Sequence, residues 1–213
     1  MRNTARALTI AAAAGAAYVV HRIGRRSGAT DAEVAGTLPG DHLVTAPMWQ
    51  STRAIDVGVA PDIVWPWIVQ MGFPSHRAGW YTPTWLDRLQ WGISHRSANE
   101  IRPELQRLEV GDVVPDSDDL SVFFTVAAID PPHALVLHST RHMLRPVTAV
   151  DFSWAFVVRP GPELGTRLLI RARVTVAPSW ARPLLPLVIG PGDFVNAGAM
   201  LRGIRRRAEG GVA

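Results

Sequence analysis

The chain contains no cysteine. That removes disulfide staples, thiol nucleophiles and thiolate metal sites, and it leaves the redox compartment open. Lysine is absent too, all 22 basic residues being arginine. There is no Gly-x-Ser-x-Gly elbow and no phosphate-cradling glycine loop, so hydrolase and nucleotide-binding readings fall away. No apolar run reaches the ~20 residues of a membrane-spanning helix. The best candidate extends only from Ala7 to Val20.

What is present is 213 residues, 47% of them hydrophobic, enough for one domain with a buried core and an appendage. The formal net charge of +4 is unevenly placed. Residues 1–30 carry five arginines and no acid, and residues 202–213 carry four arginines against Glu209, so the stretch between is net acidic. Basic ends around an acidic middle argue against a nucleic-acid groove and suit an appendage near anionic lipid.

Arg2 and Arg6 precede the run 7–20, and Arg22, Arg25 and Arg26 follow it. A short membrane anchor, a cleaved signal peptide and a surface helix all fit this pattern. As an anchor it would associate the chain with a membrane and leave the domain in the cytoplasm; as a signal peptide it would export it. Boundaries follow at 1–26 for the hydrophobic segment, 27–50 for a Gly- and Pro-punctuated linker with one helical turn at Asp31–Val34, 51–208 for the folded domain, and 209–213 for a tail.

Along the domain, Ile55, Val57 and Val59 alternate as a half-buried strand over Ser51–Val59. Asp62 is the expected N-cap of a short apolar helix to Met71, with Pro66 inside it. Thr82-Pro83 opens a second helix on which Trp85, Leu86 and Leu89 fall at helical steps. Strands are expected at Leu108–Val114, Leu120–Ile129, Ala134–Ser139, Val150–Arg159 and Thr166–Val176. The last two form a hairpin, with Phe152, Trp154, Phe156 and Val158 on one face, and Leu168, Ile170, Ala172, Val174 and Val176 opposed to Arg167, Arg171 and Arg173. One face apolar and one wet is antiparallel behaviour. After a Pro-rich crossing, a helix over about Gly192–Arg207 is the only element long enough to cover the apolar face. The fold class is therefore α+β: a curved antiparallel sheet wrapped on a long C-terminal helix, an arrangement that tends to leave an apolar space between them.

Several stretches resemble one family in order and spacing. They are Arg53 to Gly72 (RAIDVGVAPDIVWPWIVQMG), Arg77 to Tyr81 (RAGWY) followed by Trp85-Leu86-Asp87, Leu108 to Val114 (LEVGDVV), Asp130 to Val136 (DPPHALV), and the helix from Phe194 through Met200-Leu201-Arg202-Gly203-Ile204. Over about Thr52–Arg207 the chain resembles the START-like, or SRPBCC, superfamily of polyketide cyclases/dehydrases and lipid carriers. The resemblance implies a helix-grip fold with two short helices after the first strand, and an apolar ligand cavity with those helices over its mouth. It leaves the function open, since the family includes carriers and enzymes.

The candidate ligand wall is Trp80, Tyr81, Trp85, Leu89, Phe124, His138, Trp154, Phe156 and Leu201. Aromatic residues with a polar tip suit a sterol-like or polyketide-like ligand. Taken singly, each aromatic reads more readily as core, and Trp65, Trp67 and Trp91 belong to the same aromatic group. His133, His138 and His142 have no metal-ligand spacing and Asp116, Asp118 and Asp119 lack the rest of a calcium loop, so no metal and no cofactor are expected, and the acidic run reads as a solvated turn. His138 and Glu104 are the candidate acids or bases for a catalytic version. Three readings remain: a monomeric, non-catalytic binder of a small hydrophobic molecule with membrane contact through residues 7–20, a cyclase/dehydrase-type enzyme, and a structural or partner-binding module whose cavity is filled.

Overall fold

The computed structural model describes residues 24–92, 95–140, 149–177, 180 and 190–210. The apolar run 7–20, His142, the Trp91 side chain and most of the Pro-rich crossing lie outside them. Among the described residues no helix is long and apolar enough to cross a membrane.

The elements are α1 (Asp31–Ala35), β1 (Trp49–Val57), α2 (Pro61–Val69), α3 (Thr84–Trp91), β2 (Val113–Pro115), β3 (Phe123–Asp130), β4 (Ala134–Ser139), β5 (Ala149–Pro160), β6 (Thr166–Ala177) and α4 (Gly190–Ala208), with 3-10 turns at Pro103–Leu105 and Pro162–Leu164. All six strands form one antiparallel, curved sheet in the order β1-β6-β5-β4-β3-β2. The expected strands and helices are present except that the strand expected at Leu108–Val114 shrinks to Val113–Pro115, residues 110 and 111 forming a turn. Ala60, not Asp62, caps α2; Pro61 takes the first helical position and Asp62 falls in the first turn.

Strand alternation sorts the side chains into two faces. Ile55, Val57, Phe124, Val126, Leu135, Leu137, Phe156, Val158, Leu168 and Ile170 join the inner core with α2 and with Met200, Leu201 and Ile204 of α4. The outer face is not wet. Ala54, Val136, Ala155, Val157 and Leu169 form a second core with Leu38, and Leu43 packs against it.

Residues 27–50 were expected as a linker. They are a strap closing the outer face, and arginine fixes them there. The Arg171 guanidinium, 2% exposed, donates from Nε to Thr52 Oγ1 (2.9 Å), from Nη1 to Gly36 O (2.8 Å) and Asp41 Oδ2 (2.7 Å), and from Nη2 to Glu33 O (2.7 Å) and Val34 O (3.1 Å). The Glu33, Val34 and Gly36 carbonyls are the unpaired acceptors at the end of α1, so a sheet residue caps a strap helix. At its other end α1 has a reciprocal capping box between Thr30 and Glu33. Glu33 also takes two bonds from Arg167, which hold its carboxyl down at about 2. Asp41 adds an ion pair to Arg173 (3.1 Å). Gly40, at φ 84°, passes so near Val136 that a Cβ would sit 2.5 Å from Cγ1. Strap backbone also pairs with the free edge of β1, Thr52 N–H donating to Arg25 O (2.8 Å) and Ala54 N–H to Ser27 O (3.2 Å).

Breaking a buried ion pair from one side leaves the other charge uncompensated. Arg171→Ala is therefore expected to cost about 3–5 kcal/mol in urea unfolding. A chain begun at Val44 is expected to lose its cooperative transition; a full-strength transition in that truncation would show the strap to be dispensable.

Candidate functional site: an aromatic wall on the inner face

The inner face of β5 presents Phe152, Trp154 and Phe156 at alternate positions, and β3 brings Phe124 beside them. Trp154 is the hub. Its ring centroid lies 5.0 Å from Phe156, 5.7 Å from Phe124, 5.8 Å from Phe152 and 5.2 Å from Trp80, which reaches in from the loop before α3. Phe124 meets Trp80 and Phe152 edge-on, the arrangement ring quadrupoles favour. Phe124 and Phe156 are fully enclosed, whereas Trp80, Phe152 and Trp154 are only partly buried. Three rings, Trp80 and Phe152 each packed on Trp154, are thus only partly buried.

Trp80 is held by its neighbour. Tyr81 is completely buried at φ 59°, a conformation few side-chain-bearing residues adopt. Its Oη donates to Trp67 O and accepts from Gln70 Nε2, both at 2.9 Å, and its N–H donates to Ser97 Oγ (3.0 Å). The Arg207 guanidinium lies 4.7 Å over its ring. Burial pushes the phenol far up. Gly203 of α4 rests on Tyr81, where a Cβ would lie 2.0 Å from the carbonyl oxygen.

The site residues expected from sequence therefore separate. Trp80, Phe124, Trp154 and Phe156 come together, and Leu201 lies in the core beneath α4. Tyr81 is a buried tie rather than a rim residue. Trp85 and Leu89 are 66% and 77% exposed on the outward side of α3, whose Leu86 and Asp87 point in. His138 is on the opposite, outer face, its Nε2 2.7 Å from Asp151 Oδ1, beside a shallow recess of about 240 Å³ lined by Phe123, Thr125, Ser139 and Thr140. Glu104 and His133 are exposed. Among the described residues no group of three His, Asp or Glu is placed to hold a metal.

Two residues join the wall that the sequence reading did not select. Phe152 is one. The other is Asp116, expected in a solvated turn with Asp118 and Asp119. Asp119 fits that expectation: it is exposed, bonded to Ser117 and Ser121, and held down at about 2. Asp116 does not. Its N–H donates to Val122 O (2.9 Å), extending the β2–β3 ladder one step and placing its side chain on the inner face with Val114 and Phe124. Burial pushes its carboxyl up to about 7, and the Trp80 side chain hydrogen-bonding to it opposes the rise. The alternation Val114-Pro115-Asp116 was the available signal.

No family model matches the chain, and no curated protein matches it. Among solved structures, protein MLL2253 from Mesorhizobium loti is similar at 14% identity over 78% of this chain and 100% of that one, with a TM-score of 0.47. NE0264 from Nitrosomonas europaea has 14% identity over 76% and 96%, TM-score 0.47, and CalU16 from Micromonospora echinospora 13% over 76% and 84%, TM-score 0.34. At these scores the likenesses carry no argument about the site.

Two outcomes check this geometry. Gly203→Ala is expected to destabilise by more than about 3 kcal/mol, because backbone stands where the methyl would go. Gly198→Ala on the same helix, which meets only the tip of Arg202 at 3.4 Å, is expected to be neutral or up to ~1 kcal/mol stabilising. A carboxyl whose folded value of about 7 lies above the unfolded 3.8 binds more proton when folded, so stability falls as pH rises through that window and the loss is complete above it. Melting temperature should therefore drop between pH 5 and 8, and Asp116→Asn should flatten the slope.

Proposed function

We propose that this is a helix-grip domain of the START-like kind its sequence resembles, and that it holds a small, flat, apolar molecule against Trp80, Phe152 and Trp154 without transforming it. The observation that carries the reading is the incomplete burial of these three rings, Trp80 and Phe152 each packed on Trp154, on the covered face of the sheet. Stacking a planar ligand there removes apolar surface from water at roughly 25 cal/mol per Å² and adds ring–ring contact. In this reading the apolar run 7–20, whose chain enters the fold at Gly24 beside Phe194 of α4, holds the domain at a membrane surface. The support is the arginines that flank the run on both sides.

A second reading, a cyclase/dehydrase-type enzyme, is favoured by one observation. Asp116 is a carboxyl on the inner face with a value of about 7, suited to proton transfer near neutrality.

Calorimetric titration of the full chain with naphthalene tests the binding reading. One-to-one binding with a negative heat-capacity change is expected. Trp154→Ala should weaken it by about tenfold or more, a loss of the size found for one good aromatic contact, while Trp85→Ala leaves it unchanged. Equal affinity in wild type and Trp154→Ala would remove the reading.

A further inference from the structure

We infer that the outward face of α4 is a docking surface that lays the helix along a bilayer rich in anionic lipid. The inference does not depend on what the aromatic wall holds. It adds to the anchoring by residues 7–20 a surface of the folded domain itself.

The sequence carries its excess positive charge at its two ends, in residues 1–30 and 202–213. The fold brings both to α4. The chain from the first end meets the start of that helix, where Arg53 holds Gly24 O and Asp193 Oδ2 together and where a Cβ on Gly24 would lie 3.0 Å from the Phe194 ring. The second end begins in the last two turns of the same helix.

Helical spacing divides α4. Ala197, Met200, Leu201, Ile204 and Ala208 are buried. Phe194, Gly198, Arg202 and Arg206 follow one another at four-residue steps, and the three side chains of that row are exposed. Val195 stands beside Phe194, the two being 40% and 41% exposed. The row runs ~18 Å at 1.5 Å per residue. A Cβ at Gly198 would meet Arg202 Nη1 at 3.4 Å, so the Arg202 guanidinium folds back along the row toward Phe194.

The acids of α4 are engaged, Asp193 by Arg53, and Glu209 by Arg205 and the Gly58 N–H. Arg207 turns inward to Ala98 O and Asn99 Oδ1. Arg202 and Arg206 have no hydrogen-bond or ion-pair partner among the described residues. The outward face is therefore apolar where the chain from residues 7–20 arrives and cationic at its other end. An anionic bilayer meets both halves: apolar side chains sink to the acyl boundary and guanidiniums pair with headgroups. A nucleic acid would meet the arginines and leave Phe194 and Val195 in water.

The chain has no cysteine, so one introduced cysteine carries one label. Gly198→Cys marks the row. Val110→Cys, at a 64% exposed position in the turn before β2, marks the sheet edge away from β1. Each is made in the full chain and labelled with an environment-sensitive fluorophore. On vesicles of phosphatidylcholine and phosphatidylglycerol in equal parts, the label at 198 is expected to shift to the blue and the label at 110 to stay. Arg202→Gln with Arg206→Gln is expected to weaken co-sedimentation with these vesicles about thirtyfold, the size of two arginines at an anionic surface, and to leave binding to pure phosphatidylcholine vesicles unchanged. If the chain sediments but the label at 198 does not shift, or the double variant binds as the wild type does, this inference falls and the anchoring by residues 7–20 stands. If neither kind of vesicle is bound, both fall. A shift at 198 with duplex DNA and none with vesicles gives the face to nucleic acid and overturns the inference. Should the double variant not fold, the two labels decide.

Discussion

The guanidinium of Arg171 is the point on which the architecture depends. Every one of its N–H groups has an acceptor, and all but Thr52 Oγ1 belong to the strap. A buried arginine is tolerable only on those terms, because each unmet donor would carry its full desolvation cost. The consequence is one-directional. The strap can lie on the outer face only in the register that presents Glu33 O, Val34 O, Gly36 O and Asp41 to Arg171, and in that register Leu38 covers Ala54, Val136 and Leu169. The strap thus closes the outer face over β1, β6, β5 and β4.

On the inner face a second constraint sets where the wall can be approached. α4 sits close to the Trp80–Tyr81 loop only because Gly203 has no side chain, and it is aimed by the ion pair from Arg53 Nη2 to Asp193 Oδ2 (2.7 Å) in its first turn. Arg53 is itself almost fully buried and also donates to Gly24 O (2.8 Å), so the start of the strap and the start of α4 share one cation. Trp80 is therefore presented by a loop fixed at its neighbouring residue through Trp67, Gln70, Ser97 and Arg207. A ring held this way loses little freedom when a ligand stacks on it, which is the condition under which aromatic contact converts into affinity.

Much of this was legible in the sequence because alternation is a direct image of a sheet with a covered face. Phe152, Trp154 and Phe156 could be assigned to one side of β5 before any coordinates, as could Leu168 and Ile170 on β6. The strap was not legible. Arg167, Arg171 and Arg173 alternate with apolar residues as solvent-facing charges do, and only their partners Glu33 and Asp41, 134 and 130 residues before Arg167 and Arg171 in the chain, distinguish a buried ion pair from a wet one. Composition misled in the same way at residues 27–50, where Gly and Pro mark close approach and turns of a packed segment rather than a tether. On α3, helical spacing grouped Trp85 with Leu89 correctly but could not say which side of the helix faces in; Leu86 and Asp87 do.

A partly exposed ring forfeits both transfer free energy and dispersion contact. Burial in this group is graded: Phe124 and Phe156 are sealed, while Trp154, which touches both, and Trp80 and Phe152, which pack on Trp154, are not. The gradient ends at a carboxyl. A carboxylate that served only the turn would be expected to sit with Asp118 and Asp119 in water, where it would cost nothing. Asp116 is turned instead to the inner face, where burial pushes its carboxyl up to about 7. Asp116 is thus a local departure, on the inner face of the sheet, from the rule that polar groups face water.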